Sequence, residues 1–110
     1  PVGDEEKLDE LRAQIPDEAI SSLLEEAQKS LKGHFIKLQN AASEKNTEKM
    51  REAAHAIKGA SGSMFAAKVS QMAAEIEKQS GQIERASERL PEFEKAVEDT
   101  LKWWQEQAAK

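Results

Sequence analysis

Residues 55–62 read HAIKGASG, inside a stretch from Thr47 to Met64 whose apolar residues recur at helical spacing. Glycine within a helix costs roughly 1 kcal/mol relative to alanine. Two of them beside one of only two histidines in the chain therefore need a physical reason. On a wheel advancing roughly 100° per residue from His55, Met50, Ala53, Ile57, Ala60 and Met64 fall within about 40° of the opposite pole. Those five define a core face, so His55 points to water. Lys58, Gly59 and Gly62 flank it, and Glu48, Arg51 and Glu52 carry the same face toward the N-terminus. Glycines placed there are expected to clear space for a large partner rather than to admit a neighbouring core helix. The helix gives up stability for access, a local inconsistency of the kind found at functional sites. For Gly62 a helix-end signal is the alternative, with Ser61 to Ser63 a loop.

The rest of the chain repeats the helical pattern. Leu8, Leu11 and Ile15 give a short amphipathic helix that Pro16 ends. Asp17 and Glu18 then sit at the positive end of a long helix whose apolar stripe is Leu24, Ala27, Leu31, Phe35, Leu38 and Ala42. Asn46 is the expected N-cap of the helix carrying His55. Val69, Met72, Ala73 and Ile76 mark a fourth helix that Ser80-Gly81 breaks, and Leu90, Phe93, Val97, Leu101 and Trp104 mark the last. Pro91 either starts that helix or kinks it after an earlier turn near Ile83. No segment alternates with a period of two. The fold class is all-α: an antiparallel four-helix bundle with an additional short N-terminal helix. Residues 1–110 form one domain with a core over about 17–105, and residues 1–15 are either a cap on the bundle or the remnant of a linker.

Composition narrows the function. The net charge of −5 argues against duplex nucleic acid as a partner, since that affinity rests on many cationic contacts to phosphate. No cysteine means no disulfide framework and no zinc–thiolate site, which fits a reducing compartment such as the cytoplasm. Apolar runs are too short to span a membrane. A metal site would need further ligands near His55, and the other histidine, His34, is 21 residues away with no cysteine to help. His34 lies beside the apolar stripe of the long helix, between Leu31 and Leu38, and is read as a partly buried structural residue. Ser61 and Ser63 lie off the His55 face, so a serine–histidine nucleophile pair is not formed. What remains is an exposed imidazole with a free ring nitrogen and a cation one turn away, a pair suited to accepting a phosphoryl group.

Ala54-His55-Ala56-Ile57-Lys58-Gly59-Ala60-Ser61-Gly62 closely resembles the AHxLKGxxG signature of histidine-containing phosphotransfer (HPt) domains of bacterial multistep phosphorelays. The resemblance extends upstream through the long helix and the loop Glu44-Lys45-Asn46, and downstream through Val69, Met72 and Ile76-Glu77. It implies that His55 is phosphorylated through Nε2, that Lys58 steadies the phosphoryl group, and that Gly59 permits close approach. Gly62, Arg51 and Glu52 complete the docking face. The implied partners are response-regulator receiver domains, which bring their own Mg²⁺, and a hybrid sensor histidine kinase. The domain itself would carry no cofactor, no metal and no kinase activity, and is expected to be a cytoplasmic monomer without membrane contact. One departure stands out: the family usually has glycine-alanine where this chain has Phe65-Ala66, so altered helix packing or a modified docking rim is expected. Trp104 continues the last apolar stripe, and Trp103 is expected to cover the N-terminal helix. The alternative function is a helical docking module without phosphotransfer.

Overall fold

The computed structural model describes residues 1–110 as six helices without strands: α1 (Glu5–Arg12), α2 (Asp17–Ser43), α3 (Thr47–Ser63), α4 (Ala67–Gln79), α5 (Ile83–Ser87) and α6 (Leu90–Ala108). Each of α2, α3, α4 and α6 packs on two others in the cyclic order α2, α3, α4, α6, which closes a four-helix bundle measuring 43 × 21 × 18 Å. Short links between α2 and α3 and between α3 and α4 require antiparallel neighbours. The expected architecture is therefore the one observed. The added element is α5, a brief turn of helix. Pro91 occupies the second position of α6, where its missing N–H costs no intrahelical bond, so it starts the helix and does not kink it.

The apolar stripes meet in one core. Leu24, Leu31 and Leu38 of α2 are buried with Ile57 of α3, Val69 and Ile76 of α4, and Phe93 and Trp104 of α6. Phe35 and Phe93 tilt against each other at 5.8 Å between centroids, joining α2 to α6. Trp104 is 1% exposed, and its indole N–H donates to the Met64 carbonyl at 3.1 Å. That bond fastens the end of α3 to α6.

Both links into and out of α3 are built the same way. α2 ends with Lys45 in the left-handed region (φ 53°), where Lys45 N–H donates to Ala42 O and Asn46 N–H to Ala41 O. α3 ends with Phe65 left-handed (φ 65°), where Phe65 N–H donates to Gly62 O and Ala66 N–H to Ser61 O. This paired pattern is the Schellman ending, which favours glycine at the left-handed position. Asn46 then caps α3 as expected, its Oδ1 accepting from Lys49 N–H at 3.0 Å. Lys45 is exposed and makes only a long, solvent-screened pair with Glu84. Lys45→Gly is accordingly expected to stabilise the domain by about 1 kcal/mol, read as a rise in the urea midpoint at unchanged slope.

The departure at Phe65 has its explanation here. The usual glycine suits a left-handed residue, and this chain places phenylalanine there with its side chain half-buried against the core. Its carbonyl accepts Asp4 N–H at 2.8 Å, while Lys68 N–H donates to Val2 O at 3.2 Å. The Trp103 ring closes over Gly3 so tightly that a β-carbon would lie 2.5 Å from its ring carbons. Trp103 thus covers the segment just before α1. Farther along, Arg12 donates to the carbonyl and side-chain oxygens of buried Gln107 at 2.8 and 2.7 Å, tying α1 to the end of α6.

Candidate functional site

His55 stands in the middle of α3 with 66% of its side chain exposed, as the helical wheel requires. The core face of α3 is rotated from the expected centre, however. Ala54 and Ser61 are fully buried, whereas Ala60 is only half-buried. The cause is α4, the most extensively packed neighbour of α3, which approaches over small side chains on one flank. Ser70 Oγ reaches across and donates to the Lys58 carbonyl at 2.9 Å.

Gly62 is exposed, and a β-carbon there would lie 3.2 Å from Ser70 Oγ, a tight contact on the α4 side. Ser61 to Ser63 is not a loop, since α3 continues through Ser63. Gly59 is different: nothing lies within 4 Å of where its β-carbon would be, which leaves open space on the His55 face.

The proximity of α4 also brings Glu77 to the histidine. Glu77 Oε2 lies 2.9 Å from His55 Nδ1, and Glu77 Oε1 lies 2.9 Å from the Lys58 ammonium. One carboxylate therefore joins both candidate residues. The hydrogen bond from Lys58 holds the Glu77 carboxyl below the usual carboxylate range, with a further contribution from the bond to His55 and partial burial acting in opposition. This link between α3 and α4 is thus present throughout neutral pH and is lost only as the pH falls through that lowered value. An ionised carboxylate can only accept, so in the neutral imidazole the hydrogen sits on Nδ1. The free lone pair of that tautomer is then on Nε2. In the sequence Glu77 stands out only within the Ile76-Glu77 part of the resemblance, with no role assigned to it at the site; its sign is an acidic residue adjoining apolar Ile76 on the helix after the histidine.

Arg51 is exposed and pairs with Glu48 at 2.7 Å. Glu52 borders a groove of about 460 Å³ between α2 and α3 that also takes in His34, Lys37, Lys49 and Ala56. His34 is half-buried, and burial, followed by the nearby Lys37 charge, lowers its pKa. On the other flank, Lys58, Gly62, Ser70 and Lys7 border a second groove of about 390 Å³ between α3 and α4. His55 rides on the ridge between the two. No three histidine, aspartate or glutamate side chains converge to hold a metal ion.

An all-helical bundle that presents an exposed histidine with Nδ1 held by a carboxylate is compatible with a phosphocarrier. The Hpt domain family model matches residues 4–103, so the chain belongs to the Hpt domain family, and its function is histidine phosphotransfer in a phosphorelay. Among solved structures it is similar to histidine-containing phosphotransfer protein B (HptB) from Pseudomonas aeruginosa PAO1, with a TM-score of 0.88 at 22% identity over 99% of this chain and 96% of that one. At that identity the likeness establishes the shared fold. No curated protein sequence matches significantly.

Proposed function

We propose that His55 is the phosphoryl acceptor, taking the group from a receiver-domain aspartate through Nε2 and passing it to another response regulator. The observation that carries this is the Glu77 carboxylate 2.9 Å from Nδ1, which leaves the Nε2 lone pair on the solvent side of a largely exposed ring. Lys58 supplies a cation one turn away for the incoming phosphoryl oxygens, lowering the cost of gathering negative charge at the surface. Gly59 and Gly62, both exposed, belong to the docking face and leave the approach to the ring open. Arg51 and Glu52, both exposed on the same helix, belong to the docking face. The receiver domain brings the Mg²⁺, and a hybrid sensor histidine kinase is a further partner. No helix is long and apolar enough to cross a membrane, and the domain works as a cytoplasmic monomer without kinase activity of its own.

The test is to mix the protein with a panel of receiver domains carrying labelled aspartyl phosphate. Label is expected to leave a receiver and appear on this chain in acid-labile, base-stable form. A receiver that demonstrably binds yet never labels the chain would replace this function with that of a docking module.

A further inference from the structure

We propose that Lys7 of α1 is a recognition residue for the receiver domain, an ammonium that meets the carboxylates around the incoming aspartyl phosphate and sets how readily the two proteins engage. The proposal rests on His55 as the acceptor and adds α1 to the face that the partner meets.

The helix carrying Lys7 is fastened to the bundle, so the residue has a defined place. Leu8 is fully buried. Ahead of it, Asp4 N–H donates to the Phe65 carbonyl at 2.8 Å. Behind it, Arg12 donates to the backbone and side-chain oxygens of Gln107, and Glu5 Oε1 accepts from Gln107 Nε2 at 2.7 Å and from the Lys110 ammonium at 3.1 Å. These bonds set Lys7 on the border of the groove it shares with Lys58, Gly62 and Ser70. Lys58 lies one turn beyond His55 on α3, so this groove leads onto the ring.

Charge singles out Lys7 among the residues near the histidine. Along α3 the cations are compensated within the chain: Lys49 pairs with Glu44 at 3.6 Å, Arg51 with Glu48 at 2.7 Å and Lys58 with Glu77 at 2.9 Å. Lys7 is exposed, and the bond it makes to a carboxylate runs through its backbone: Asp4 Oδ1 accepts the Lys7 N–H at 3.1 Å as the cap of α1. The ammonium itself is left for a partner. Across the ridge, Lys37 shares its groove with Glu44 and Glu52, so that flank carries both signs.

The chemistry of the partner supplies the complement. A receiver bearing aspartyl phosphate, together with the carboxylates that hold its Mg²⁺, presents concentrated negative charge, and this chain has a net charge of −5. Two anionic proteins meet slowly unless the surfaces that touch are locally complementary, and a charge at the rim of an interface acts mainly on association. An ammonium held on a fixed helix beside the approach to His55 favours receivers with an acidic rim over others. It does so without touching the phosphoryl group, which makes Lys7 a specificity-determining residue and not a catalytic one.

The experiment mixes the parent, Lys7→Ala, Lys7→Glu and Lys29→Glu with a receiver carrying labelled aspartyl phosphate and times transfer by rapid quench over a range of receiver concentrations. Lys29 pairs with Glu25 on α2 and borders neither groove, so Lys29→Glu changes the net charge as much as Lys7→Glu does while leaving the face intact. An acidic residue in the first turn of α1 is favourable to the helix, so Lys7→Glu keeps the fold. At low salt the half-saturating receiver concentration is expected to rise about threefold for Lys7→Ala and about tenfold for Lys7→Glu, with the maximal rate unchanged. In about 0.5 M salt, where charges are screened within a few ångströms, the differences should shrink toward nothing. A loss confined to the maximal rate, or a shift for Lys7→Glu no larger than that for Lys29→Glu, would overturn the proposal. A parent that takes label neither from the receiver nor from the small donor phosphoramidate would instead remove His55 as the acceptor, and this proposal with it.

Discussion

His55→Gln is expected to reduce phosphoryl uptake to below about a thousandth of the parent rate while leaving the fold and receiver binding in place. The loss is large because an amide has no nucleophilic nitrogen, and removing the group that forms the covalent bond forfeits the whole chemical step. The fold survives because His55 is 66% exposed and touches the rest of the protein mainly through Glu77. Surface changes of this kind usually stay within about 0.5 kcal/mol. Stopped-flow transfer, read beside a urea melt and a binding titration on the same sample, checks all three quantities. Uptake that persists in the variant would place the phosphoryl group elsewhere.

The largest structural effect is expected from Trp104→Ala. It removes the largest fully buried side chain of the core and the indole N–H bond to the Met64 carbonyl. Loss of a buried tryptophan costs about 3 to 5 kcal/mol, and the orphaned carbonyl adds to the loss. Against the usual stability of a small domain, about 5 to 15 kcal/mol, this removes about a fifth or more and brings the melting transition sharply down. Trp104→Phe, which keeps most of the packing, should lose much less. Equal destabilisation by the two variants would assign the effect to the hydrogen bond; a cost near zero for Trp104→Ala would contradict the packing of α6 against the end of α3.

The helices were legible because core residues repeat at helical spacing and the caps use chemically specific residues. Asn46 before Thr47 is such a signal, and the side chain does cap α3. The orientation of His55 followed from the same periodicity. What periodicity could not supply was the depth to which neighbouring helices settle. A wheel centres the core on the large apolar residues, whereas α4 nestles onto the small ones, Ala54 and Ser61, and brings Ser70 Oγ to 3.2 Å from where a β-carbon of Gly62 would lie. Glu77 was missed for a related reason. Its role depends on the register between two helices, and the sequence holds 21 acidic residues, most of which could be read as a solvated surface. Phe65 stood out as a departure, but its meaning lay in a backbone dihedral of 65° that side-chain patterning does not encode. Trp103 was expected over the N-terminal helix, and its ring lies instead on Gly3, in the segment just before that helix.

The most direct measurement is NMR of the protein labelled with ¹⁵N in its histidines, before and after phosphorylation by a receiver domain or phosphoramidate. Before phosphorylation, His55 should show its hydrogen on Nδ1; afterwards, ³¹P coupling should appear on His55 Nε2, with Nδ1 still protonated and His34 unchanged. Phosphorus bonded to Nδ1, to His34 or to no histidine at all would contradict the account.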